Sequence, residues 1–173
     1  MPDLICSVDE AAEFDYVVTA GKLARASARI RTYTRQQVTA GTSTALLPGP
    51  GPWLLPQRPV REVTAVRDAA GQFVEWDLDG QMLHADPAAV SVEFEHGHDP
   101  VPDGLREICA QIAHRLTDVP QALTDGVQQE TVGGITRGFG SWAAAGVTEL
   151  TPAEKLVIDR FYPRRPRTIQ LAP

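Results

Sequence analysis

Two histidines flanked by carboxylates form the chain's most reactive-looking cluster: His96-Gly97-His98-Asp99, with Glu93 and Glu95 just before it and His84 and Asp86 upstream. Neutral imidazoles and carboxylates are ligands for Zn²⁺ and similar ions, so a metal-dependent hydrolase built on His84, His96, His98 and Asp99 is one reading. A zinc deaminase or zinc protease also needs a third ligand and a general base at set spacing, and neither signature is present. The plainer reading is a polar strand-to-helix loop in which Gly97 supplies a tight turn.

Other chemistry finds less support. Cys109 falls on an apolar helical stripe, where a thiol behaves as a small hydrophobe. Ser141 follows two glycines in Gly138-Phe139-Gly140-Ser141-Trp142, yet without the strand-turn-helix setting of a nucleophile elbow. Gly133, Gly134, Gly138 and Gly140 lack the lysine and the helix start of a phosphate-binding loop. Glu75, Asp77, Glu93 and Glu95 alternate with apolar residues and read as the solvated face of strands, not as a carboxylate pair in an apolar cleft. The residues therefore name no catalytic group, no cofactor and no metal, and the expectation is a protein that is not an enzyme.

The elements that must carry these residues follow from periodicity. Ser7-Val8-Asp9-Glu10 is a capping box opening a first helix, and Leu23, Ala26, Ile30 and Tyr33 form the apolar stripe of a second. Turn residues dominate from Thr39 to Pro59, and Pro48-Gly49-Pro50-Gly51-Pro52 forbids regular structure. Val60 to Val66 reads as a strand. Val74, Trp76 and Leu78 alternate as another, Asp79-Gly80 is the positive-φ pair of a hairpin, and Gln81 to His84 is its return strand. Val90, Val92 and Phe94 mark a half-buried strand. Pro102 opens the strongest helix, with Leu105, Ile108, Cys109, Ile112, Ala113 and Leu116 on one face, and Pro120 ends it. Residues 126–149 read as a Gly-rich, partly β arm with isolated Val132, Ile135, Phe139 and Trp142. Thr151-Pro152-Ala153-Glu154 starts a last helix carrying Leu156, Val157 and Phe161.

The 173 residues suffice for one ordinary domain with a real core, and the 43% hydrophobic and 22% charged shares are those of a globular protein. The formal net charge is −6, although Arg160, Arg164, Arg165 and Arg167 crowd the C-terminus, so residues 1–159 carry −10. That acidity disfavours tight binding to nucleic acid. The N-terminus lacks signal-peptide features and no run is long and apolar enough to span a membrane, so a soluble, intracellular chain with both cysteines reduced is expected.

The order of these parts resembles the head-to-tail connector (adaptor) proteins of tailed bacteriophages, particularly those of actinobacteriophages. The motifs that carry the resemblance are Leu55-Pro56-Gln57-Arg58-Pro59-Val60 followed by Val63, His96-Gly97 with Val101-Pro102 and Leu105, Glu130-Thr131-Val132-Gly133-Gly134, and Leu150-Thr151-Pro152-Ala153-Glu154. The resemblance implies a mainly α fold: a bundle of about four helices with a small β insertion at about 54–96 within residues 1–162, and an extended docking tail at 163–173. It further implies a virion protein assembled in the host cytoplasm as a ring, about a dodecamer, beneath the portal. Such a ring links the portal to a stopper or tail-completion protein and lines the DNA channel without reading sequence. Mapped onto this chain, portal docking falls to Tyr162, Arg164, Arg165, Arg167, Ile169 and Leu171, and the inter-subunit arm to Val132, Ile135, Phe139 and Trp142. A small monomeric binding module and the metal-dependent hydrolase are the alternatives.

Overall fold

The computed structural model describes residues 3–49, 51–86, 89–116, 129–132, 135–138 and 149–163. The chain divides into two compact units. One comprises Met1–Ile5 with Arg35–Pro102, and the other Cys6–Thr34 with Asp103–Pro173.

The first unit is a β structure. Strands β1 (Gly41–Pro48), β3 (Val60–Asp68) and β6 (Ala89–His96) form an antiparallel sheet in the order β1-β6-β3. Strands β2 (Trp53–Leu54), β4 (Trp76–Asp79) and β5 (Met82–Ala85) form a second, in the order β2-β5-β4. Alternation along β6 sends Val90, Val92, Phe94 and His96 inward, and both sheets contribute to one apolar cluster of Trp53, Leu55, Val63, Val66, Leu83, Val90, Val92 and Phe94. Fully burying a side chain such as Phe94 contributes about 2–3 kcal/mol.

This unit corrects the expected fold class. The protein is a mixed α/β structure with two three-stranded sheets and four helices among the described residues, not mainly helical with a small β insertion. The sheet begins at Gly41, inside the stretch expected to be turn-rich. Gly-Thr-Ser-Thr-Ala-Leu-Leu-Pro has poor intrinsic strand signal, but an edge strand packs on one face only. Ala45 and Leu47 meet that need against β6, while Leu46 turns outward at 81% exposure.

The hairpin differs by one residue from its expected register. Asp79 pairs with Met82, so the loop is Gly80-Gln81. Only Gly80 has positive φ (+60°), at the first loop position, as a II′-type turn requires.

The second unit is helical: α1 (Val8–Glu13), α2 (Ala20–Thr34), α3 (Asp103–Arg115) and α4 (Pro152–Phe161). The other three helices pack on α3. Its buried stripe of Leu105, Ile108, Cys109, Ala110, Ile112 and Ala113 meets Leu23, Ala26, Ser27 and Ile30 of α2. Both expected capping boxes form: Glu10 N–H donates to Ser7 Oγ at 3.2 Å, and Glu154 N–H to Thr151 Oγ1 at 3.3 Å. Each cap is worth about 1 kcal/mol. The buried face of α4 consists of Glu154 and Ile158, followed by Tyr162, whereas Leu156 is 64% exposed. Two further strands, β7 (Gln129–Val132) and β8 (Ile135–Gly138), make an antiparallel pair with Val132 opposite Ile135.

Candidate functional site

The His96–Asp99 segment is a structural junction. His96 ends β6 with its ring fully buried, its Nε2 lies 2.8 Å from Ser43 Oγ on β1, and its ring centroid is 5.6 Å from that of Phe94. Burial holds its pKa below the usual imidazole value, favouring the neutral ring. Gly97 has φ +83°, and a Cβ there would come within 2.2 Å of the Thr39 carbonyl oxygen. Only glycine fits such an approach. Three backbone hydrogen bonds tie the turn down: Gly97 N–H to Pro59 O at 2.9 Å, His98 N–H to Val38 O at 2.9 Å, and Ala40 N–H to His98 O at 3.1 Å. The segment thus staples the linker before β1 to the end of β6 and the start of β3.

The other members of the candidate metal set lie elsewhere. His84 is exposed on β5, opposite Asp77, in the second sheet. Asp99 is exposed and makes a loose ion pair with Arg61 at 3.9 Å. His98 is half-buried, and burial also lowers its pKa. Among the described residues no three His, Cys, Asp or Glu side chains are grouped to hold an ion, so the structure does not bring His84, His96, His98 and Asp99 together.

The thiols are equally ill-suited to nucleophilic work. Cys6 and Cys109 are both free and fully buried. Burial pushes Cys109 up to about 11 and Cys6 to about 12, keeping both protonated at neutral pH. Cys109 Sγ lies 3.5 Å from Ser27 Oγ, a packing contact between α3 and α2. The strand acids Glu75, Asp77 and Glu93 are exposed and Glu95 is half-buried, as a solvated face requires.

The residues expected to make assembly contacts divide in three. Tyr162 is only 5% exposed and closes the buried face of α4. The cause is spacing, since Glu154, Ile158 and Tyr162 recur every four residues and fall on one side of the helix. Val132 and Ile135 lie in the β7–β8 pair. Phe139, Trp142, Arg164, Arg165, Arg167, Ile169 and Leu171 lie outside the described residues, as do Ser141 and Pro120.

Surface features that sequence reasoning missed are found on the β unit. Leu46 projects from the outer face of the first sheet, and the exposed Phe73 ring lies 3.9 Å beneath the Arg67 guanidinium. Leu46, Pro48, Arg67 and Val90 help line an open, largely apolar groove of about 550 Å³. The adjacent Leu46-Leu47 pair held the only clue, because strand alternation must turn one of them out.

No protein-family model and no curated protein matches the chain. Solved structures do match in fold. The chain is similar to a chain in the neck of a native gene transfer agent particle determined with C12 symmetry, with 19% identity, a TM-score of 0.51, and coverage of 95% of this chain and 96% of the other. It is also similar to a chain in the neck of an empty gene transfer agent particle determined with C6 symmetry, with 20% identity, a TM-score of 0.53 and the same coverage.

Proposed function

We propose that the protein is a non-enzymatic structural component of the neck of a phage-like particle, a head-to-tail adaptor. In this reading about twelve copies form a ring beneath the portal, contact a stopper or tail-completion protein on the other side, and surround the channel through which DNA passes. The observation that carries the proposal is the end-to-end likeness in fold to neck chains, covering 95% of this chain and 96% of theirs, in two particles of cyclic symmetry.

The chemistry of the chain supports it. A net charge of −6 suits a lumen past which DNA slides, because clustered cations would add salt-sensitive binding to phosphates. The His96–Asp99 cluster and the two buried cysteines serve packing. Docking to the portal is assigned to the tail after Tyr162, where Arg164, Arg165 and Arg167 provide forks for carboxylates and Ile169 and Leu171 provide apolar anchors.

The test is the mass and shape of the purified protein, alone and mixed with the portal of its own particle, by light scattering and electron microscopy. Rings seated on the portal are the expected outcome. A compact monomer that ignores portal rings overturns the proposal. Deleting residues 163–173 is expected to abolish portal docking while leaving thermal unfolding unchanged.

A further inference from the structure

The edges of the β unit are treated unequally. A sheet edge exposes unpaired N–H and C=O groups, and proteins blunt such edges with short strands, charges, bulges or a covering segment. Among the described residues, β2 is two residues long and β4 carries Asp77 and Asp79. Edge strand β3 carries Arg61, Glu62, Arg67 and Asp68, and its register slips twice, between Val60 and Glu62 and between Val63 and Ala65. Its far end is covered as well: Val74 N–H donates to Val66 O at 3.0 Å and Asp68 N–H to Gln72 O at 2.9 Å.

Among the described residues, strand β1 lacks these defences from Gly41 to Leu47; only its last residue, Pro48, blunts the edge, its carbonyl accepting from Trp53 Nε1 at 3.2 Å. Its eight residues pair with β6 without a register break, carry no charge, and present Thr42, Thr44 and Leu46 outward. The β7–β8 pair has the complementary deficiency. It is a two-stranded sheet with no third strand among the described residues, and such hairpins are marginal in isolation.

We infer that strand β8 (Ile135–Gly138) of one copy adds to the open edge of β1 in the next copy, continuing the β1-β6-β3 sheet across the subunit boundary. This rests on the ring reading above, and it names the surface that receives the arm. A ring uses two different patches on each protomer, so an open edge and a two-stranded hairpin on the same chain suit its head-to-tail geometry. Charge biases the choice of β8 over β7. The added strand would lie two strand spacings, about 9–10 Å, from Glu93 and Glu95 of β6, where Arg137 of β8 adds attraction and Glu130 of β7 adds repulsion.

The test places one cysteine on each strand of the full-length protein, Thr44→Cys and Thr136→Cys, in a background whose two native thiols are fully buried. Rings assembled on the portal are treated with a short bis-maleimide. The double variant is expected to give a ladder of covalent oligomers, and a mixture of the two single variants a covalent dimer. Rings that assemble normally but yield neither product overturn the strand-addition inference and leave the ring intact. Linkage confined to single chains also overturns it, by showing the hairpin folded onto its own sheet. If no ring forms with wild-type protein, the adaptor reading fails and this inference fails with it. Leu46→Lys provides a second reading: unchanged melting with ring yield reduced at least tenfold is expected, and full ring yield counts against the inference.

Discussion

The Arg115 guanidinium grips both oxygens of Glu154, with Nε donating to Oε1 at 3.1 Å and Nη2 to Oε2 at 3.0 Å. Glu154 is also the N3 residue of the α4 capping box, where its Oε2 accepts from Thr151 N–H at 2.6 Å. One nearly buried carboxylate therefore starts a helix and fixes that start to the end of α3. At the opposite end of α3, Gly104 leaves room for the Phe161 ring, so the two helices run antiparallel and are held at both ends.

Removing the arginine should leave that carboxylate buried and under-compensated. Arg115→Ala is expected to destabilise the helical unit by about 3 kcal/mol, at the low end for a buried pair because the arginine side chain retains partial exposure. Denaturant unfolding followed by far-UV circular dichroism measures this. Glu154→Gln should cost less than Arg115→Ala, because its amide oxygen can still accept from the guanidinium and the cap.

Gly97→Ala should be among the most damaging single changes. Its Cβ would overlap the Thr39 carbonyl, and positive φ adds strain, so a loss of about 3 kcal/mol or more is expected, or insoluble expression. A soluble Gly97→Ala protein with wild-type melting would refute the stapling role of this turn.

Acidification should weaken the β unit. Burial depresses the pKa values of His96 and His98 below their ordinary 6.5, so below that pH the unfolded chain takes up protons that the folded chain resists. Stability is then complete above about pH 6.5 and falls as pH drops, by up to about 1.4 kcal/mol per pH unit for each histidine. The check is the denaturant midpoint at pH 7.5 and 5.5. His96→Asn should flatten part of this slope, whatever it does to absolute stability.

Tyr162→Ala should destabilise the fold by about 3 kcal/mol, as expected for truncating a buried aromatic side chain. The deletion of residues 163–173 should not, which separates a residue that closes the helical unit from the tail that follows it. Differential scanning calorimetry of the two variants makes the comparison.

The helical half was legible because its signals are local. Ser7 with Glu10, Thr151 with Pro152 and Glu154, and the stripe from Leu105 to Leu116 each announce a helix within a few turns of chain, and each formed as expected. The β half was legible only where alternation is strong, as in β6. Strand β1 escaped notice because its stability comes from β6, about fifty residues away, and an edge strand needs only Ala45 and Leu47 on its packed face. The same non-locality turned His96-Gly97-His98 into an apparent metal motif. Nothing in the sequence shows that Thr39 presses on Gly97 or that Ser43 caps His96. On α4, expected to carry Leu156, Val157 and Phe161, a four-residue repeat buries Glu154, Ile158 and Tyr162 and leaves Leu156 exposed.

Cys6 and Cys109 are sealed off and held in the unreactive protonated form. A chain built this way offers no reactive thiol, so purified samples should form no disulfide-linked dimers when kept in aerated buffer without reductant.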